Sequence, residues 1–292
     1  MRTPPAGILL TSLTLSALFS PPGIGKLNVS ASSFVAALFV PLLMAGLYAW
    51  LLRPKIGPVR TVIVFTAGGL LSFVASTFLF VPLLFRPFAL YVVESDSVLL
   101  AGFVESLPGS SLPEELAKIG TLLFACVLLL RKASRPAIVY AGSLVGLGFA
   151  AIENFWWAAI AENSSDLLLR VTPTLGHSFL GIIGGWLYLG IRQAEPPGVW
   201  HWIRLLLFPT LLHFLFNFGL VGFEFDFPGL EEIPEEEVPP PELLLPILGA
   251  FALVLTAALA ALVEFVWAVK IIRTIRRESR LPFDPPAPAA PS

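Results

Sequence analysis

The sequence predicts an all-α fold, a polytopic membrane helix bundle of about eight transmembrane helices. Three observations carry that expectation. Apolar residues make up 56% of the 292-residue chain and charged residues 13%, where a soluble domain carries roughly 25% charged residues. Mean hydropathy is +0.84. The apolar residues also fall into separate runs, most of them close to the roughly 20 residues a helix needs to cross the hydrocarbon core.

Those runs are 6–20, 33–52, 61–85, 114–130, 137–160, 171–191, 203–223 and 243–269. The first has signal-peptide length, with only Arg2 ahead of it. The stretch Ser16 to Ser20 is no clean small-x-small cleavage site, so it reads as a short first span. Residues 86–113, with Glu94, Asp96 and Glu105, read as a surface loop containing an interfacial helix. The expected organisation follows. Residues 1–110 hold N-terminal transmembrane helices and an outer interfacial segment, 111–223 a four-helix core, and 224–242 an acidic, proline-rich outer loop. Residues 243–280 hold the last span and a basic cytoplasmic end, and 281–292 a proline- and alanine-rich disordered tail.

Orientation follows from the Lys and Arg residues of the loops. With the N-terminus inside, fourteen of the 18 face the cytoplasm: Arg2, Arg53, Lys55, Arg60, Arg131, Lys132, Arg135, Arg192, Arg204 and the five from Lys270 to Arg280. Only Lys26, Arg86 and Arg170 face outward, and Lys118 lies at or in the membrane. Both termini are therefore expected in the cytoplasm of a multi-pass plasma-membrane protein. Trp50, Trp200, Trp202 and Trp267 near inner ends, and Trp156 and Trp157 near an outer end, fit an interfacial belt. The net charge of −2 says little, because the distribution of charge matters more than the sum; no nucleic-acid partner is expected, and the lone Cys126 excludes an internal disulfide.

Charge is costly inside hydrocarbon and normally faces a bundle interior or a wet cavity. Spans four to seven concentrate it: Glu114, Glu115 and Lys118; Glu153 and Asn154; His177; His213 and Asn217. Glu114 and Glu115 open the fourth span at its outer end. At 1.5 Å per residue, Glu153 and His177 lie roughly 9–10 Å below the outer ends of their helices, Asn217 roughly 9 Å and His213 roughly 15 Å. Four helices thus place polar groups at a shared depth. Lys118 lies i,i+4 from Glu114 and i,i+3 from Glu115, so it reaches either carboxylate. His213 and Asn217 share one helix face. Gly142, Gly146 and Ala150 on the fifth span, and Gly181 and Gly185 on the sixth, form small-residue faces that let helices approach closely. Two histidines and a carboxylate suit zinc with a position left for water, and a further carboxylate could take that water's proton. No HExxH motif is present. Glu264 reads as an isolated structural or interfacial residue near the inner end of the last span.

Four motifs stand in order on consecutive spans: Glu114-Glu115-x-x-Lys118, Phe149-x-x-x-Glu153-Asn154, Gly176-His177 and His213-x-x-x-Asn217. Over about residues 110–222 they resemble the PrsW family of intramembrane proteases, related to the CAAX prenyl endopeptidases. The latter typically carry Arg in the role of Lys118 and His where this chain has Glu153. The resemblance implies an endopeptidase acting on a membrane-tethered protein substrate, an anti-sigma factor in the best-known cases, cut on the outer side. It implies Glu114 and Glu115 as water-activating carboxylates with Lys118 as their charge partner. It further implies Glu153, His177 and His213 as ligands of a metal, Zn2+ by donor type, and Asn217 as an oxyanion or ligand-orienting group. A metal-independent glutamate mechanism is the alternative within that class. Outside it stand an ion- or proton-coupled transporter and a non-catalytic scaffold. A transporter needs an aqueous path to both sides, and the inner halves of spans four to seven are almost wholly apolar. A scaffold would tolerate loss of the carboxylates.

Overall fold

The computed structural model describes residues 31–88, 97–160, 171–194, 196–224 and 241–278. Among them every regular element is a helix. We label these α1 (Ala31–Leu52), α2 (Pro58–Ala75, continued by a π-turn at Ser76–Phe80 and by Val81–Leu84) and α3 (Val98–Ser106, a π-turn at Leu107–Ser111, then Leu112–Leu128). They are followed by α4 (Arg135–Ile160), α5 (Val171–Gln193), α6 (Val199–Leu220, ending in a 3₁₀ turn at Val221–Glu224) and α7 (Pro241–Glu278).

Five segments are long and apolar enough to cross a bilayer: Pro58–Phe88, Arg135–Trp156, Val171–Gln193, Val199–Leu220 and Leu245–Glu278. The apolar part of α1, Ala37–Leu52, is shorter, and α3 carries the charged group of the candidate site. The all-helical membrane architecture is therefore present, whereas the number eight is not reached among the described residues. The expected first span, most of the acidic loop and the tail lie outside those residues.

Two expectations about boundaries change. Residues 98–113 are helical and run without a break into the span expected to start at 114. Pro108, Gly109 and Pro113 read as breakers in the sequence. The π-turn absorbs Pro108 and Gly109, with the Leu112 N–H reaching back to the Leu107 carbonyl, and Pro113 sits in the first turn of the α-helical stretch that follows, where its missing N–H costs little. Wider turns of this kind occur mostly as single turns inside α-helices, frequently at functional sites. The last helix also continues past the expected end at 269 to Glu278.

Burial orders the bundle. In α4, 83% of the membrane-length window is buried, against 17% in α7, so α4 is the central helix and α7 a peripheral one. α4 packs against α5, α2 and α1. Close approach to α5 depends on glycine. A Cβ on Gly142 would strike the Gly181 carbonyl oxygen, and one on Gly146 the carbonyl oxygen of His177. The outward rows of α2, α6 and α7, such as Leu71, Phe78, Leu211 and Leu259, are exposed and suit a lipid environment.

The ends of five helices meet at one basic face. The Arg192 guanidinium donates to the Arg131 carbonyl at 3.0 Å, Arg135 pairs with Glu278 at 3.1 Å, and Arg276 lies 5.9 Å from the Trp50 ring. Gly146→Val should push α4 off the His177 backbone and lower stability by about 3 kcal/mol, the upper part of the usual overpacking range. Thermal unfolding in detergent checks this. Gly184→Ala, where no atom lies within 4 Å of an added Cβ, is the tolerated control.

Candidate active site

The expected site residues converge. Glu114, Glu153, His177, His213 and Asn217 line one cavity of about 90 Å³ together with Ser110 and Glu264. That volume holds several water molecules, each needing roughly 10–15 Å³ by this measure. Glu115 and Lys118 lie directly behind the lining, 2% and 5% exposed. Along their helices, Glu115, Glu153, His177, His213 and Glu264 stand roughly 20–27 Å from the ends at Leu128, Arg135, Gln193, Val199 and Glu278. The shared depth expected from the sequence is therefore real.

Each histidine is fixed by the helices around it. The α5 backbone at His177 rests on Gly146. The Asn154 amide donates to Thr174 Oγ1 at 2.9 Å. Tyr48 Oη and Ser178 Oγ share a hydrogen bond of 2.8 Å from the α1 side. Phe149 meets the His177 ring edge-on at 5.1 Å and lies 4.5 Å below the Lys118 ammonium. The His177 and His213 rings stand nearly perpendicular, 5.2 Å apart.

The hydrogen bonds separate the two adjacent glutamates. Glu115 Oε1 lies 2.6 Å from Lys118 Nζ and 3.0 Å from His213 Nδ1. A carboxylate only accepts, so with Glu115 ionised Nδ1–H donates and the Nε2 lone pair of His213 stays available. Glu114 lies 3.6 Å from Lys118, and its Oε1 accepts from Ser110 Oγ at 2.8 Å. Its Oε2 is buried without a hydrogen-bond partner, 3.8 Å from His213 Nε2. On His177, Nδ1 faces the Lys118 ammonium at 3.0 Å and so accepts, while Nε2–H donates to Glu153 Oε2 at 2.9 Å. The Asn217 amide donates to Ser110 Oγ at 3.0 Å and to Ser111 Oγ at 3.4 Å. A relay from Asn217 through Ser110 therefore holds Glu114.

Two participants were not assigned to the site from the sequence. Ser110 gives no sequence signal, because its position depends on the π-turn. Glu264 has one, a lone carboxyl in an apolar span, but its depth was read from a helix end placed too early. Far from being isolated at the inner end, it is 1% exposed and lines the cavity.

The sequence model of a family described as PrsW family intramembrane metalloprotease matches residues 57–227, more than half of the chain. The chain belongs to that family. The PrsW match runs from the start of α2 to just past α6, so it contains Glu114 through Asn217 and stops short of Glu264. Protease PrsW of Oceanobacillus iheyensis (strain DSM 14371 / CIP 107618 / JCM 11309 / KCTC 3954 / HTE831) is 40% identical over 87 residues. That stretch is 30% of this chain and 40% of the relative, so the chain spans about two fifths of the curated protein it matches. No solved structure matches.

A metal fits the donor set of this PrsW chain. One donor atom each from Glu114, His177 and His213 lie within 4.8 Å of one another. Two imidazoles and one carboxylate suit zinc. Glu114 Oε2 accepts no hydrogen bond and has the Lys118 ammonium only at 3.6 Å, which leaves it able to accept a closer donor or cation. The grouping takes Glu114 where the sequence reading took Glu153, which instead lies against His177.

Proposed function

We propose that the chain is a zinc-dependent intramembrane endopeptidase that hydrolyses a peptide bond of a membrane-tethered protein, of the anti-sigma-factor kind, near the outer face. One observation supports this above the others. Glu114, His177 and His213 come from three different helices, and their donor atoms meet beside a cavity the size of a few waters.

Glu114, His177 and His213 would hold the metal, His177 only after its Nε2 gives up the proton now donated to Glu153. When bound, such an ion polarises a carbonyl oxygen and makes a nearby water more acidic. The remaining residues divide the work. Glu115 orients His213 by accepting its Nδ1 proton, a carboxylate–histidine arrangement that fixes the ring and its tautomer. Lys118 neutralises Glu115 and supports His177. Glu153 has a side chain 18% exposed, against 12% for Glu114 and 3% for Glu115. It is the most open of the three, and in this reading it takes a proton from attacking water. Asn217 holds Glu114 through Ser110. With the basic face in the cytoplasm, as charge bias favours, the cavity lies toward the outer leaflet, where a tethered substrate would be cut.

Cleavage of a single-span reporter by purified protein tests this. Wild type is expected to cut, chelator to stop it, added Zn2+ to restore it, and His213→Ala to be inactive under all conditions. Equal cleavage by wild type and His213→Ala would defeat the proposal. Chelator-resistant cleavage that still needs His213 would defeat its metal-dependent form.

A further inference from the structure

The last helix supplies a carboxyl whose Oε1 finds no hydrogen-bond donor among the described residues. Glu264 is 1% exposed, and its Oε1 is buried without a hydrogen-bond partner. It lines the same cavity as Glu114, Glu153, His177 and His213. Access comes from a missing side chain: a Cβ on Gly176 would stand 3.3 Å from Glu264 Oε2, so glycine beside His177 leaves room for the carboxyl. A structural role would give that carboxyl a donor inside the fold, because an unpartnered buried acceptor costs about 1–3 kcal/mol and more when charged. Glu264 has none at Oε1. Glu114 Oε2, on the same cavity, is also without one. Four carboxyl groups, of Glu114, Glu115, Glu153 and Glu264, thus stand in or directly behind the cavity wall, and among the described residues there one ammonium, that of Lys118, accompanies them.

We propose that Glu264 is a cation-binding residue of the site, contributed by a helix outside the family-matched region. It holds the divalent ion of the cavity directly or through that ion's water. This rests on the metal-dependent reading above. It makes α7 part of the site and gives Glu264 a function where the sequence suggested only a structural residue.

Zinc affinity of the full-length protein, purified in detergent and stripped of metal, provides the test, by competition with a chromophoric chelator. Wild type is expected to bind Zn2+ and His213→Ala to lose binding. Glu264→Gln should bind at least roughly tenfold more weakly, as loss of a supporting metal-site group does. Its metal-free form should melt at or above the wild-type temperature, because a buried unpartnered acid has become a neutral amide. Should Glu264→Gln not fold, Glu264→Asp replaces it, with weakened affinity and unchanged metal-free melting as the supporting result. Titration with Co2+ separates the two routes. A changed visible band indicates a direct oxygen ligand, and an unchanged band with weaker binding indicates contact through water. Affinity within twofold of wild type for Glu264→Gln, or for Glu264→Asp where that replaces it, with binding lost in His213→Ala, overturns the inference and leaves the metal reading standing. A wild-type protein that binds no zinc overturns both.

Discussion

Lys118→Met should lower stability by roughly 3–5 kcal/mol, the usual cost of removing one partner from a buried ion pair. Lys118 is 5% exposed and Glu115 2% exposed, with 2.6 Å between Nζ and Oε1. The methionine would fill much of the space above Phe149 but leave Glu115 with only His213 as a donor. His177 would lose its Nδ1 partner as well. A double-mutant cycle isolates the pair. Glu115→Gln alone destabilises, because the amide matches Lys118 and His213 less well. The double variant Lys118→Met/Glu115→Gln should lose less than the two single variants together, by about 0.5–3 kcal/mol of coupling. Equilibrium unfolding in mixed detergent measures all four proteins. Strict additivity, or a loss below about 1 kcal/mol for Lys118→Met, would mean that the ammonium does not neutralise Glu115 as the geometry requires.

Glu114→Gln should separate activity from stability in the opposite sense. Its Oε2 has no hydrogen bond to lose and only a 3.6 Å ion contact with Lys118, which keeps Glu115 at 2.6 Å, and the amide oxygen can still accept from Ser110. Folding should therefore change little. Reporter cleavage should fall by roughly a thousandfold or more, because Lewis-acid polarisation is worth several kcal/mol and each tenfold corresponds to about 1.4 kcal/mol. Neighbouring glutamates should thus give contrasting variants, Glu114→Gln folded and inactive and Glu115→Gln weakened in fold. Cleavage by Glu114→Gln within threefold of wild type would remove Glu114 from the metal set and return that place to Glu153.

Helical spacing and depth made much of this legible. Lys118 reaches both glutamates because three- and four-residue intervals bring side chains together on any α-helix. Glu153, His177 and His213 meet because a 1.5 Å rise fixes their depth once each span is placed. Gly142 and Gly146 were readable as a contact face, and Gly146 is where the His177 backbone rests. What escaped depended on local exceptions. Pro108 and Gly109 argue against helix in any sequence reading, yet a π-turn carries α3 through them and sets Ser110 beside Glu114. Glu264 was assigned to the wrong level because its basic continuation, from Lys270 to Glu278, looked like the end of the helix and is part of it. Which glutamate keeps a free oxygen depends on where His213 arrives from α6, a tertiary fact that spacing within α3 does not contain.

The cavity behind these predictions is sized for solvent. Its 90 Å³ admits no length of polypeptide, least of all a coiled transmembrane segment whose amide bonds are shielded within its own ladder. Proteolysis at this depth would thus demand gating: the surrounding helices part, the guest unwinds, and the scissile bond slides in. Motions of that sort run over microseconds to milliseconds and often govern turnover. Bilayer thickness and lipid order, which resist such parting, would then act on the rate as directly as any side chain in the site.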